Sequence, residues 1–210
     1  MATAAEIPPV VPLFPLPDVV LFPQMPLPLH IFEPRYRKMV RDALRGDRVI
    51  GMTLLRPGWE DDYEGRPPVY PAGCAGLIER SQSLADGRFN IVLKGVARFR
   101  IRAEHDREPY RLATVEPLPE PPEDQEPLDA ARARLLQLLE RSGSSTVVVA
   151  QPELPHDIFV NALCQSLRLP AVDKQALLES DTLLQRYDRL AGIIEFHLLG
   201  RSCGSSGAVH

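Results

Sequence analysis

The apolar residues recur with two different periods, and the change of period divides the chain into two parts. Up to residue 119 the apolar stretches are short or alternate with polar residues, which is typical of strands. From residue 126 onward they recur every three or four residues, which is typical of helices. We therefore expect a β-rich domain over residues 8–119, a helical bundle over residues 126–199 and a disordered tail over residues 200–210.

The segment PLFPLPDVVLFPQMPLPLHIFEPRY places seven prolines among large apolar residues. Such bulk is unusual in a disordered proline-rich ligand, whereas a strand at a sheet edge tolerates proline wherever the missing N–H would face solvent. Pro23, Pro26 and Pro28 also interrupt the longest apolar run too often for a signal peptide or a membrane-spanning helix. The segment predicts a folded sheet edge, and we expect a cytoplasmic protein.

Glu33 and Pro34 begin a predicted helix, because proline fits the first helical position and pushes the preceding residue out of the helical region. A single apolar stripe follows before Gly46: Tyr36, Met39, Val40, Ala43 and Leu44. A basic row lies at i, i+4 and i+8: Arg37, Arg41 and Arg45. A row of this kind is usually a solvated face, and the functional alternative is contact with an anion or an acidic partner.

Strand signals follow this helix. VIGMTLL predicts a buried strand, CAGLIER predicts another, and Asp86 with Gly87 predicts a tight hairpin turn before the alternating residues of FNIVL. The next stretch has an apolar face and a polar face that carries Arg98, Arg100 and Arg102. YRLATVEPL predicts the last strand, before the acidic, proline-rich segment PLPEPPEDQEP.

A long loop, residues 56–71, carries the only tryptophan, Trp59, together with Tyr63 and Tyr70. Aromatic side chains on a loop held by a rigid sheet suit the binding of an extended peptide, because each buries a large area while few torsions are frozen. The simpler alternative is that these rings pack the loop onto the sheet. Trp59, Tyr63 and Tyr70 are our candidate peptide-binding residues.

Four helices are predicted in the second part, with Ser180 or Asp181 as the cap of the last: Leu128–Glu140, Pro155–Leu169, Asp173–Glu179 and Thr182–Leu199. Amphipathic stripes within them are expected to form a core rather than a binding face.

Charge and motifs argue against several classes of function. The net charge of −4 gives no overall positive field, so neither nucleic acid nor a membrane is the expected partner. Cys74, Cys164 and Cys203 are widely spaced without a CxxC pair, which favours neither a disulfide framework nor a zinc site. The serine-rich segments lie in a loop and in the tail, where no strand precedes them to form a nucleophile elbow, and no GxxxxGKS or GxxxxGKT loop occurs. We expect no catalytic residues, no metal and no cofactor.

One histidine and carboxylate pair stands out, His30 with Glu33. It is either a structural hydrogen bond at the corner between strand and helix or the acid–base pair of a hydrolase.

The order of these pieces resembles the amino-terminal domain of Lon proteases, in the free-standing form found in bacteria. The resemblance spans about residues 8–199 and is carried by FPLPDVVLFP, PLHIFEPRYRKMV, GCAGLIERSQSLADGRFNIVLKGVARFRI and DKQALLESDTLLQRYDRL. It implies an α+β fold, with a twisted β-rich, PUA-like pseudobarrel that has one helix, followed by a helical bundle. In full-length Lon this domain engages substrates and supports assembly. The ATPase and protease modules of Lon have no counterpart in this sequence.

Two functions remain. The resemblance favours a non-enzymatic interaction module that binds a protein or an unfolded polypeptide client. The alternative is an RNA-binding PUA-like protein that uses the Arg98, Arg100 and Arg102 strand face, against which the net negative charge weighs. The oligomeric state is not determined by these features.

Overall fold

The computed structural model describes residues 7–62, 65–105, 109–142 and 153–204. The chain divides into two compact units, residues 1–119 and 120–210. That residues 8–119 and 126–199 are independent domains stays a prediction.

The first unit contains, among its described residues, six strands and one α-helix. These are β1 Val10–Leu16, β2 Pro26–Ile31, α1 Pro34–Arg45, β3 Val49–Leu55, β4 Val69–Ser83, β5 Phe89–His105 and β6 Arg111–Pro117.

Five of the strands close into a barrel. β1 pairs in parallel with β3, and antiparallel pairs then lead from β3 through β4, β5 and β6 back to β1. β2 lies outside this ring, because it pairs with the first half of β5 while β6 pairs with the second half. The β-rich pseudobarrel is confirmed.

The prediction that the proline-rich segment is a sheet edge is correct for β2 and wrong for β1. β1 lies between β3 and β6. β6 pairs with residues 10–13 of this strand and β3 with residues 13–16. Pro12 is therefore paired with β6 alone and Pro15 with β3 alone. Each proline thus lies near one end of the overlap, where only one neighbouring strand is paired with it, which is how a central strand accommodates a residue without an N–H.

One core cluster joins four strands of the barrel and surrounds Phe99: Val11, Leu13, Ala75, Ala113 and Val115. Gly73 lets the Phe99 ring approach the sheet. A Cβ on Gly73 would lie 2.7 Å from Phe99 Cζ and 2.4 Å from the Met52 carbonyl oxygen, closer than any side chain permits.

Helix α1 confirms its predicted stripe. Tyr36, Met39, Val40 and Ala43 are buried, and the Tyr36 ring lies 4.4 Å from that of Phe14 between centroids. Pro34 begins the helix, and the Gly46 N–H donates to the Ala43 carbonyl where the helix ends.

The second unit is helical, as predicted: α2 Gln125–Ser142, α3 His156–Ser166, α4 Ala171–Leu178 and α5 Leu183–Gly204. α5 packs against the other three helices. No helix in the described part of the chain is long and apolar enough to cross a bilayer.

Two predictions about α5 are wrong. The cap is Thr182 rather than Ser180 or Asp181, because Thr182 Oγ1 accepts the Gln185 N–H over 3.1 Å. The Glu123 carboxylate adds a second cap by accepting the N–H groups of Leu183 and Leu184 over 2.6 and 3.2 Å. The helix also continues to Gly204, so residues 200–204 are helical rather than disordered. Residues 205–210 of the predicted tail lie outside the described residues.

Candidate functional site

The loop between β3 and β4, residues 56–68, is held at its base. The Arg56 N–H donates to the Pro68 carbonyl over 2.8 Å, and Arg111 Nη1 donates to the Pro67 carbonyl over 2.7 Å. Arg111 also donates from Nε and Nη2 to the two oxygens of Glu104, each over 2.8 Å. Because this two-point pairing fixes the guanidinium, the end of the loop at Pro67 is held against β6.

The candidate aromatic residues fall in different places. Trp59 is half-buried, just before a 3-10 turn at Glu60–Asp62. Tyr70 lies on β4 rather than on the loop, half-buried, with the Arg56 guanidinium 5.6 Å from its ring centroid. Tyr63 lies outside the described residues. Peptide binding by Trp59, Tyr63 and Tyr70 stays a prediction.

The arginine row on α1 does not act as one surface. Arg37 Nε donates to the Gly87 carbonyl over 2.7 Å, so this side chain attaches the helix to the hairpin turn between β4 and β5. Arg41 and Arg45 are exposed, and Arg41 Nε donates to the Arg37 carbonyl over 3.3 Å. Anion or partner contact stays a prediction, and Arg37 already has a structural role.

The three arginines of β5 do not form one exposed face. Arg98 is buried, and the chain that leaves β6 runs beside it, where the Leu118 N–H donates to the Arg98 carbonyl over 2.9 Å. Arg102 is the extra residue of a β-bulge and pairs with Glu116. Arg100 remains exposed. The RNA-binding alternative thus loses the feature on which it depended.

His30 and Glu33 are not brought together. His30 Nδ1 lies 2.7 Å from Asn90 Oδ1, and its Nε2 lies 3.3 Å from Arg88 Nη1. Glu33 instead pairs with Arg35 over 2.9 Å. Both interpretations of a His30–Glu33 pair are wrong, because the His30 side chain extends over the sheet whereas Glu33 lies at the start of α1.

Asp86 orients Arg88 within the hairpin turn. The two side chains form an ion pair of 2.6 Å, and the Arg88 N–H donates to Asp86 Oδ1 over 3.0 Å. The hydrogen bonds from Arg88 lower the pKa of Asp86 to about 2. Gly87 follows with φ of +78°, which confirms the predicted Asp86 and Gly87 turn.

A three-strand extension stands outside the closed barrel; it consists of β2, the first half of β5 and Arg80–Ser83 at the end of β4. Its exposed face carries two cross-strand rows, Pro28–Val92–Arg80 and His30–Asn90–Gln82. A groove of about 530 Å³ lies along these rows. Phe32, 60% exposed, lies beyond the groove, with its ring 6.2 Å from that of His30 between centroids.

His30 is the only residue of this extension that the sequence pattern marks as a candidate functional residue. The stretch ERSQS is uniformly polar, so no alternation marks it as a strand. Its only signal is position, since it leads directly into the Asp86 and Gly87 hairpin.

In the second unit, a buried arginine connects the helices. Arg186 is fully buried and donates to Asn161 Oδ1 over 2.8 Å, to the Leu177 carbonyl over 3.1 Å and to Glu120 Oε1 over 2.5 Å. Cys164 is buried as well, and burial raises the pKa of its thiol to about 12. A buried thiol with so high a pKa stays protonated and serves as a packing residue.

Within the described residues, no group of three or more His, Cys, Asp or Glu side chains is arranged to hold a metal ion.

Comparison with known proteins gives one consistent result. The family model described as the ATP-dependent protease La (LON) substrate-binding domain matches residues 10–195. The chain is 30% identical over 158 residues to a Lon protease of Dictyoglomus thermophilum, which covers 75% of this chain and 19% of that protein. It is 27% identical over 193 residues to Lon protease 2 of Myxococcus xanthus, with coverage of 86% and 23%. The chain thus spans about a fifth of the length of these relatives.

Two solved structures share the fold. The Lon N-terminal domain protein from Xanthomonas campestris superposes with a TM-score of 0.64 at 26% identity, covering 87% of this chain and 97% of that one. The N-terminal domain of the Mycobacterium avium complex Lon protease superposes with a TM-score of 0.70 at 18% identity, covering 90% and 99%.

Proposed function

The chain belongs to the family of LON substrate-binding domains, and we propose from that premise that it recognises protein clients, in particular unfolded polypeptide, without catalysing a reaction on them. The observation that carries the proposal is the family match, which runs through both compact units from residue 10 to residue 195. The match covers a substrate-binding domain and neither of the catalytic modules of Lon, which supports a binding role.

The first unit offers features that suit this role. The loop of residues 56–68 is held at its base, and Trp59 is only half-buried. A rigid aromatic side chain binds apolar client residues with little loss of conformational freedom. The loop with Trp59 and Tyr63, together with Tyr70 on β4, is therefore one proposed contact surface.

The test is fluorescence anisotropy with a labelled unfolded protein, reduced and carboxymethylated α-lactalbumin, titrated with the full chain at low and high salt. Native α-lactalbumin is the matched control, because it has the same amino-acid sequence but keeps its disulfides and its fold. We expect saturable, salt-tolerant binding of the unfolded probe alone.

A labelled single-stranded RNA serves as a second probe. Binding of RNA alone, with affinity that falls steeply as salt rises, would contradict the proposal and restore the RNA alternative. The proposal would also be contradicted if the unfolded probe did not bind and no protein was crosslinked to the chain in its host cell.

A further inference from the structure

The three-strand extension has two outer edges, one along β2 and one along Arg80–Ser83. An unpaired strand edge exposes main-chain N–H and C=O groups to which another extended chain can pair. Which residues face outward on each edge follows from the alternation of hydrogen-bonded and non-hydrogen-bonded pairs in an antiparallel ladder.

The edge along β2 is closed by proline. The Gly95 N–H donates to the Met25 carbonyl over 2.9 Å, so Met25 and every second residue after it face β5. Pro26 and Pro28 therefore face outward, and neither has an N–H to offer. A second strand cannot form a regular ladder along this edge.

The edge at the end of β4 is open. The Leu84 N–H donates to the Arg88 carbonyl over 2.8 Å, so Gln82 and Arg80, two and four residues earlier, also face β5. Ser81 and Ser83 then direct their N–H and C=O groups outward. Pairing of β4 with β3 ends at Leu77, and in the described part of the chain no strand lies on the outer side of Ser81 or Ser83.

We propose that the edge Arg80–Ser83 binds an extended segment of the polypeptide client as an added strand. This inference rests on the proposed function and specifies how the client is held. The main chain of Ser81 and Ser83 supplies two N–H and two C=O groups to any sequence, which suits a module that must accept many unfolded clients.

The neighbouring side chains define a preference among clients. On the exposed face, an added strand would lie directly beside Arg80 and Gln82 and along the groove formed by the two cross-strand rows. Arg80 is exposed and makes no ion pair within the described residues. A client segment with an acidic side chain opposite Arg80 gains a cross-strand charge pair, so acidic extended segments are the favoured class.

Ser81→Pro is the decisive variant, because it removes the outward N–H and leaves the bonds to β5 intact. Pro28 occupies the equivalent outward position on β2, so the fold already accommodates a proline at an outward-facing position of an edge strand. Ser81→Ala is the matched control, since it removes the hydroxyl and keeps the N–H. With carboxymethylated α-lactalbumin as probe, we expect Ser81→Pro to weaken binding about tenfold and Ser81→Ala to change it less than about twofold.

Amide hydrogen exchange of the wild-type chain tests the same geometry without a variant, should Ser81→Pro fail to fold. The N–H groups of Ser81 and Ser83 should exchange rapidly in the free protein and slow by about tenfold or more when the probe is saturating. The Gln82 N–H, which faces β5, should be protected in both states.

The outcomes separate this inference from the proposed function. Strand addition would be overturned if Ser81→Pro bound the probe as tightly as wild type. It would also be overturned if bound client left the N–H groups of Ser81 and Ser83 unprotected. In either case the proposed function would stand. Absence of wild-type binding to the probe, together with no protein crosslinked to the chain in its host cell, would overturn both. A concentration-dependent homodimer that Ser81→Pro dissociates would assign the edge to a second copy of the chain and overturn the client as its occupant.

Discussion

Arg37 Nε donates to the carbonyl of Gly87 over 2.7 Å, and this bond joins the first helix to the hairpin turn fifty residues later in the chain. Gly87 has φ of +78°, and a Cβ at this position would lie 2.2 Å from Arg37 Nη2. The positive φ therefore favours glycine at this position, and a side chain here would also displace the end of the Arg37 side chain.

Gly87→Ala should destabilise the protein by more than Gly58→Ala. Gly58 has φ of +87°, and no described residue lies within 4 Å of its Cβ position, so its replacement measures mainly the backbone strain, about 1 kcal/mol. Gly87→Ala adds displacement of Arg37 to this strain. Urea unfolding of both variants, and of each in an Arg37→Ala background, separates the two effects. Equal losses for the two glycines would show that the Arg37 contact contributes nothing.

Arg186→Met should lower the free energy of unfolding by about 3–5 kcal/mol, because it removes a fully buried cation from its hydrogen-bond acceptors, including Glu120. Arg189→Met is the control. Arg189 lies one turn later on α5, is exposed and donates to the Ala176 carbonyl over 2.7 Å, so its loss should cost less than about 1 kcal/mol. Denaturation followed by circular dichroism gives both values, and similar losses would contradict the structural role of Arg186.

Asp86 should titrate with a pKa of about 2, below its ordinary value of 3.8, because Arg88 hydrogen-bonds to the ionised carboxylate. Since the folded-state pKa is the lower one, the contribution of this group to stability is complete above about pH 4 and is lost as the pH falls toward 2. Carboxyl carbon chemical shifts followed over pH test the value. Arg88→Ala should return the pKa toward its ordinary value, and an unchanged titration in that variant would exclude Arg88 as the cause.

Trp59→Ala should weaken binding of carboxymethylated α-lactalbumin by about fivefold if the loop contacts the client, as expected for loss of one aromatic contact. Phe196→Ala is the control, because Phe196 is an aromatic residue that is 74% exposed on α5. Circular dichroism of both variants establishes that the fold is retained. A folded Trp59→Ala protein that binds as tightly as wild type would remove the loop from the proposed contact surface.

Local features were predicted well wherever a short stretch of residues decides the outcome. The stripe of Tyr36, Met39, Val40 and Ala43 is a property of one helix, and Pro34 determines where that helix begins. The Asp86 and Gly87 turn depends on residues that tolerate a positive φ. The family and the α+β fold class came from the resemblance of the quoted motifs to Lon amino-terminal domains, and the family match and the fold confirm both.

The predictions that were wrong concern what lies beside a strand. Alternation placed Arg98, Arg100 and Arg102 on one face, but a bulge at Arg102 and the chain beyond β6 give the three arginines different surroundings. His30 was paired with Glu33 by proximity in sequence, whereas the sheet register places it against Asn90, sixty residues away.

The sequence by itself determined the first helix, the hairpin turn and most of the other elements, because helix periodicity, turn chemistry and proline positions act over a few residues. The family and the fold class came from the resemblance of the quoted motifs to Lon amino-terminal domains. Tertiary structure alone decided which strand edges are open. Proline closes β2 only because Pro26 and Pro28 face away from β5, and Ser81 is available only because its neighbour Gln82 faces β5. Those directions are set by the register between strands, which is a relation between distant segments and is encoded in neither segment on its own.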